Sequence, residues 1–215
     1  MEPIKQMPTS TRVASLLRKA ILSGEYSGEE ELSLTKISNQ LGVSRTPVRE
    51  AFQQLSSEGL ITLRMNKGAI VKSIDKKFII DHFEVRILLE CEAVKRAVNN
   101  RMDVSNLLEQ EKELQNHPES AKIEDYVQVN QDIHRSIWKA SDNQKLFQLC
   151  EELWNGSSTN NVYPAIEHHL KSLDEHIHLL TAIQNGDANK ASNIMKKHLE
   201  RSMNNLIDNF DNQNN

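Results

Sequence analysis

The sequence predicts a mainly α-helical protein in two parts: a small N-terminal helical module with a two-stranded β-wing, then an all-α antiparallel bundle. Three observations carry that expectation. Apolar residues recur at helical spacing along most of the chain. Gly and Pro, 7 and 5 in 215 residues, are too few for a turn-rich β-sandwich. Only after Gly59 does the period shorten to that of strands. The chain is long for one small domain, so 1–74 and 75–215 are expected to fold as separate domains.

Taken in order, Thr9 or Ser10 offers an N-cap for a helix bearing Val13, Leu16, Leu17, Ala20 and Ile21, with Gly24 as its stop. Tyr26 to Glu31 reads as a polar connection. Ser33 caps a short helix with Leu34, Ile37 and Leu41, which Gly42 ends. Ser44 caps the next helix, and Pro47 falls in its first turn, where a missing N–H costs little. Val48, Phe52 and Leu55 point one way on that helix, and Arg45, Arg49 and Gln53 the other. Leu60–Arg64 and Ala69–Lys72 read as strands around Met65-Asn66-Lys67-Gly68, a turn with Gly available for positive φ. Beyond Asp75, helices are predicted near 76–100, 104–116, 122–141, 144–161, 165–185 and 187–210, and the Asn/Gln-rich tail from Asp211 reads as frayed.

The chain carries a net charge of −4, but unevenly. Residues 1–74 hold 10 Lys+Arg against 7 Asp+Glu, and the rest hold 16 against 23. Only the N-terminal third, at +3, has charge suited to phosphate. Met1 to Ser10 lacks an apolar leader, and no apolar run reaches the roughly 18 residues of a membrane span. Cys91 and Cys150 are solitary, which argues against a disulfide or a zinc–thiolate site and fits a reducing cytoplasm.

Leu34–Leu41, Gly42-Val43 and Ser44–Ser57 supply in order the short helix, tight turn and second helix of a helix-turn-helix, and the following hairpin adds a wing. Arg45, Thr46 and Arg49 occupy the end of the second helix that meets base edges in such motifs. Arginine bonds bidentately to guanine O6 and N7, and Thr suits a thymine methyl or a phosphate. Ser44, Thr35, Lys67 and Gly68 complete the set expected on double-stranded DNA, with Lys67 at the wing tip. The strings Leu17-Arg18-Lys19-Ala20-Ile21-Leu22-Ser23-Gly24, Leu41 to Ala51 and Glu58-Gly59-Leu60 resemble the GntR family of bacterial regulators. That resemblance implies binding of a palindromic operator as a homodimer, in the nucleoid-associated cytoplasm, with Arg45 and Arg49 reading bases. Leu34 stands where the family often has an acidic residue, and Thr35 where some members place an arginine.

In the C-terminal part, polar residues interrupt apolar stripes. Asn130 and His134, one turn apart, lie among Tyr126, Ile133 and Ile137; His176 lies among Leu173, Ile177 and Leu180; His198 lies among Ala191, Ile194 and Leu206. Such residues form either a satisfied core network or a site for Zn, Ni or Fe. His82, His117, His168, His169 and His178 read as surface or rim positions. The segments 140–143, Glu175-His176, Ala182 to Asp187, Ala191 and Met195 to Leu199 resemble the all-helical FCD effector domain of the FadR subfamily. The resemblance implies a divalent metal at Asn130, His134, His176 and His198, with Asn130 where the family has Asp. Arg86, inside Val85 to Glu90, falls on the inward side of its helix and needs an anion, either Glu90 or Glu84 or an effector carboxylate.

The expected protein is therefore a DNA-binding regulator, a repressor of a metabolic operon answering to a small carboxylate metabolite. Two alternatives stay open at this point. In one, the helical domain is only structural and dimerising, or takes another ligand without metal. In the other, three imidazoles and a water make a hydrolytic centre, although no general base stands near them.

Overall fold

The computed structural model of the protein describes residues 8–65, 68–118, 121–154 and 165–214. The chain divides into two units, Met1–Ile79 with Ile207–Asn215, and Ile80–Leu206.

In the first unit, helix α1 (Thr9–Leu22), strand β1 (Glu31–Leu32), helices α2 (Leu34–Leu41) and α3 (Arg45–Ser57), and strands β2 (Ile61–Arg64) and β3 (Gly68–Val71) follow one another. The expected cap at Thr9 or Ser10 is displaced. Pro8 stands at the start of α1, its carbonyl taking the Arg12 N–H at 3.0 Å. α1 packs on α3, and Leu17 and Ile21 on the one and Phe52 and Leu55 on the other are all buried. Arg18 is buried with them, and its Nε lies 2.6 Å from Glu58 Oε2. Stranding either charge by removing its partner would cost about 3–5 kcal/mol.

The sheet has three strands rather than two, in the order β1-β3-β2, all antiparallel. β1 lies at the end of the stretch expected to be a connection; two residues are too short to show a period of two. β3 is central, with Glu31 opposite Ile70 and Arg64 opposite Gly68. Gly68 adopts φ +109°, and a Cβ there would stand 2.0 Å from the Leu32 carbonyl oxygen. Only glycine lets β1 approach so closely.

The second unit draws on helices α4 (Lys76–Asn99), α5 (Ser105–Asn116), α6 (Ile123–Ala140), α7 (Gln144–Leu153), α8 (Ala165–Gln184) and α9 (Ala188–Asn214). α8 packs against both α5 and α6. The predicted break before α7 is sharp because Asp142 takes φ +51° and the Asn143 side chain then accepts the Lys145 and Leu146 N–H groups. α7 ends at Leu153, not 161; Trp154 turns extended, with its ring against Trp138 at 5.4 Å between centroids. The expected stretch from 155 to 161 lies outside the described residues. α9 continues through the tail that composition marks as frayed, and Asp211 there pairs with Lys76 at 2.7 Å. No described helix is long and apolar enough to cross a membrane.

Candidate functional site

Ser33 Oγ accepts the Lys36 N–H at the start of α2, and Gly42 closes that helix in the left-handed conformation, φ +63°. The Val43 N–H returns to the Ser38 carbonyl, so α3 leaves the turn at a set angle with Val48, Ala51, Phe52 and Leu55 buried. Ser44 sits in the extended cap position, yet its hydroxyl makes no capping bond. Ser44, Arg45, Thr46 and Arg49 are exposed, as is Thr35 at the start of α2. Among the described residues Arg45 and Arg49 have no ion-pair or hydrogen-bond partner, whereas buried Arg18 and exposed Arg64 are each held by a glutamate. Two unspent guanidinium groups at the start of an exposed helix are suited to bidentate acceptors on bases or phosphates. Lys67 lies outside the described residues. Gly68 is buried, and its backbone conformation is what the sheet requires.

The second unit brings His134 from α6, His176 from α8 and His198 from α9 together. One ring nitrogen of each lies within 4.8 Å of the others, and the side chains are 0%, 2% and 5% exposed. The other nitrogen explains how they are aimed. His134 Nδ1 meets Glu90 Oε2 at 2.6 Å, His176 Nδ1 meets Glu111 Oε1 at 2.9 Å, and His198 Nδ1 meets Glu175 Oε2 at 2.7 Å. A carboxylate on Nδ1 places the proton there and leaves the Nε2 lone pair for a metal. The Nε2 atoms of His134 and His176 are buried and lack hydrogen-bond partners among the described residues. Two such orphaned acceptors are costly unless something accepts their lone pairs.

Burial, the largest influence, pushes His198 down to about 3 and lowers His134 as well, despite Glu175 and Glu90. These rings are therefore neutral at physiological pH, the form that ligates metals. Three imidazoles in a closed site fit Zn2+ or Ni2+, with a fourth position left to a water, Asn130 or an outside ligand. Asn130 is 8% exposed, one turn before His134, and lines a cavity of about 10 Å³ with Glu111, Tyr126, His169, Ser172 and His176. That space holds about one water.

Arg86, 3% exposed, donates from Nε and Nη2 to Glu90 Oε1 at 3.0 and 2.6 Å. Of the anions left open for it, the internal Glu90 is the one in place. Trp138 Nε1 donates to Glu90 Oε2 at 3.0 Å, the oxygen His134 also uses. Burial alone would raise the Glu90 carboxyl, but Arg86 and His134 hold it well below the usual carboxylate range.

His169 departs from the surface or rim position expected of it; it is 2% exposed and stacks on Tyr126 at 5.6 Å. Sequence reasoning also missed Glu111 and Glu175 as anchors of the imidazoles. The signal for Glu111 was present, since it breaks the stripe Leu107, Leu108, Leu114 as Asn130 breaks its own.

Residues 9–71 match the family model described as bacterial regulatory proteins, gntR family, and residues 81–201 match the FCD domain. The chain belongs to the GntR family and carries an FCD domain. The regulator is 33% identical over 168 residues to the gluconate operon transcriptional repressor of Bacillus subtilis, covering 76% of this chain and 64% of that one. Its fold is similar to that of E. coli McbR/YncC, with a TM-score of 0.71, 22% identity, and coverage of 95% and 100% of the two chains. It also resembles the Zn2+-bound FCD domain of TM0439, with a TM-score of 0.51, 25% identity, and coverage of 64% and 97%. Family and relatives are transcription regulators, so the hydrolytic alternative is set aside.

Proposed function

We propose that this transcriptional regulator is a repressor that binds a palindromic operator as a homodimer and is controlled from a metal-centred effector site in its FCD domain. The observation that carries the effector half is the convergence of His134, His176 and His198, each anchored through Nδ1 on its own glutamate. The DNA-binding half rests on the unspent Arg45 and Arg49, with Thr46, Ser44 and Thr35 beside them for phosphate or thymine. Lys67 and Gly68 would bring the wing to the adjacent backbone. Palindromy follows from two-fold symmetry, since two recognition helices spaced one helical turn apart read inverted half-sites.

His134, His176 and His198 would hold Zn2+ or Ni2+ through Nε2, with Asn130 as a neutral neighbour. When bound, the ion supplies a Lewis-acid site for an effector oxygen, and a carboxylate is the class that such a site and Arg86 together favour. Arg86 would hold the effector's second oxygen only by sharing itself with Glu90. Coupling to DNA requires the effector to prefer one of two dimer arrangements.

The test is metal analysis of purified protein beside operator binding. Wild type should carry one Zn2+ or Ni2+ per chain, and His176→Ala and His198→Ala should carry less than a tenth of that. A metal content that those substitutions leave unchanged would end the reading. The second reading, a domain that is structural or binds a ligand without metal, is favoured by Asn130, which brings no charge to the cluster. It predicts no metal in wild type and operator affinity indifferent to chelators.

A further inference from the structure

The three glutamates that hold the imidazoles are not alike. Glu90 is neutralised by Arg86 at 2.6 Å, and Glu175 by Arg201 at 2.6 Å. Glu111 is 2% exposed, and among the described residues it has neither an arginine nor a lysine; its one partner is His176. A buried carboxylate without a cation is expensive, and such groups are paired or sit beside metals. Glu111 also lines the cavity that Asn130 and His176 share. Asn130 lines the same cavity, and its amide carries no charge.

We propose that Glu111 is the charge-balancing residue of the metal centre: acting through His176, it supplies the anionic charge that Asn130 lacks and so sets how tightly the site holds a divalent cation. The inference rests on the metal reading above. Glu111 is a positioning residue, since it touches the ligand and not the ion. Its carboxylate fixes the Nδ1–H tautomer of His176 and makes Nε2 more basic, while its charge offsets that of the cation. Glu90 and Glu175 orient their imidazoles in the same way, but their charge is already spent on arginines.

The experiment is Zn2+ titration of chelator-stripped, full-length protein against a competing chromophoric chelator, with melting curves taken with and without Zn2+. Glu111→Gln keeps size and shape but loses the charge. It should bind Zn2+ 10–100-fold more weakly than wild type, the usual effect of losing such a partner. Its metal-free melting temperature should stay close to wild type, while the rise on adding Zn2+ shrinks. A residue that only braced the fold would lower both melting curves and leave that rise intact.

Asn130→Asp is the complementary variant, and it tests the idea even where Glu111→Gln fails to fold. It should tighten Zn2+ binding and lower the metal-free melting temperature, because a second anion then faces the cavity. In the double variant it should restore most of the affinity lost with Glu111. Wild-type affinity in Glu111→Gln, or no response of either quantity to Asn130→Asp, overturns the proposal and leaves the three-histidine site standing. Wild type that takes up no Zn2+ overturns the metal reading itself.

Discussion

At the scale of single residues, the molecule separates side chains that are spent from those left over. Arg18, Arg86 and Arg201 are each satisfied by a glutamate, whereas among the described residues Arg45 and Arg49 are not. The left-over pair should therefore carry operator recognition. Arg45→Ala and Arg49→Ala should each cost about 1–3 kcal/mol of specific binding, read by fluorescence anisotropy on a selected operator. Neither should move the melting temperature, and retained affinity in the double variant would defeat direct readout. The buried histidines make a second prediction. An unfolded imidazole titrates near 6.5, while burial holds His198 at about 3. Between those values the unfolded chain binds more protons, so stability is complete above about pH 6.5 and is lost as pH falls. The urea midpoint of metal-free protein should thus drop from pH 7 to pH 5, and His198→Gln should flatten that slope.

At the scale of elements, the wing shows how tertiary contact decides what a short segment becomes. Glu31–Leu32 is too brief to announce itself, and it is a strand because β3 offers it a partner. The Gly68 position depends on that pairing, for any Cβ would strike the Leu32 carbonyl at 2.0 Å. Gly68→Ala should lower the stability of the first unit by about 2 kcal/mol or more, measured by urea unfolding, since it adds backbone strain to a collision. If Gly68 served DNA alone, the same change would weaken binding and leave the unfolding curve alone. The helices, in contrast, were legible almost to the residue from periodicity. The exceptions were α7, which Trp154 ends early, and α9, whose tail stays helical where Asp211 meets Lys76.

At the scale of the whole molecule, regulation requires the effector site and the operator site to be linked thermodynamically. An organic acid that raises the melting temperature of the Zn2+-loaded regulator should change operator affinity by some factor. Bound operator should change affinity for that acid by the same factor. Screening a panel of carboxylates by thermal shift, then measuring both affinities for any hit, checks this directly. A factor of one, with operator affinity unchanged by the bound acid, would mean that its site is not linked to DNA binding.

Local pattern was enough to read the mainly α fold, the helix-turn-helix from Leu34 to Ser57 and the polar residues set into apolar stripes, because helical periodicity is a property of neighbours in sequence. Family resemblance then singled out Asn130, His134, His176 and His198. Tertiary structure alone decided what those polar residues do to one another. His134 and Glu90, His176 and Glu111, and His198 and Glu175 are 44, 65 and 23 residues apart, and no local rule pairs them. Arg86 and Glu90, four apart on one helix, were open to a local reading, but only the packed bundle, where each buried polar group must find a partner, leaves Glu111 with no cation of its own among the described residues.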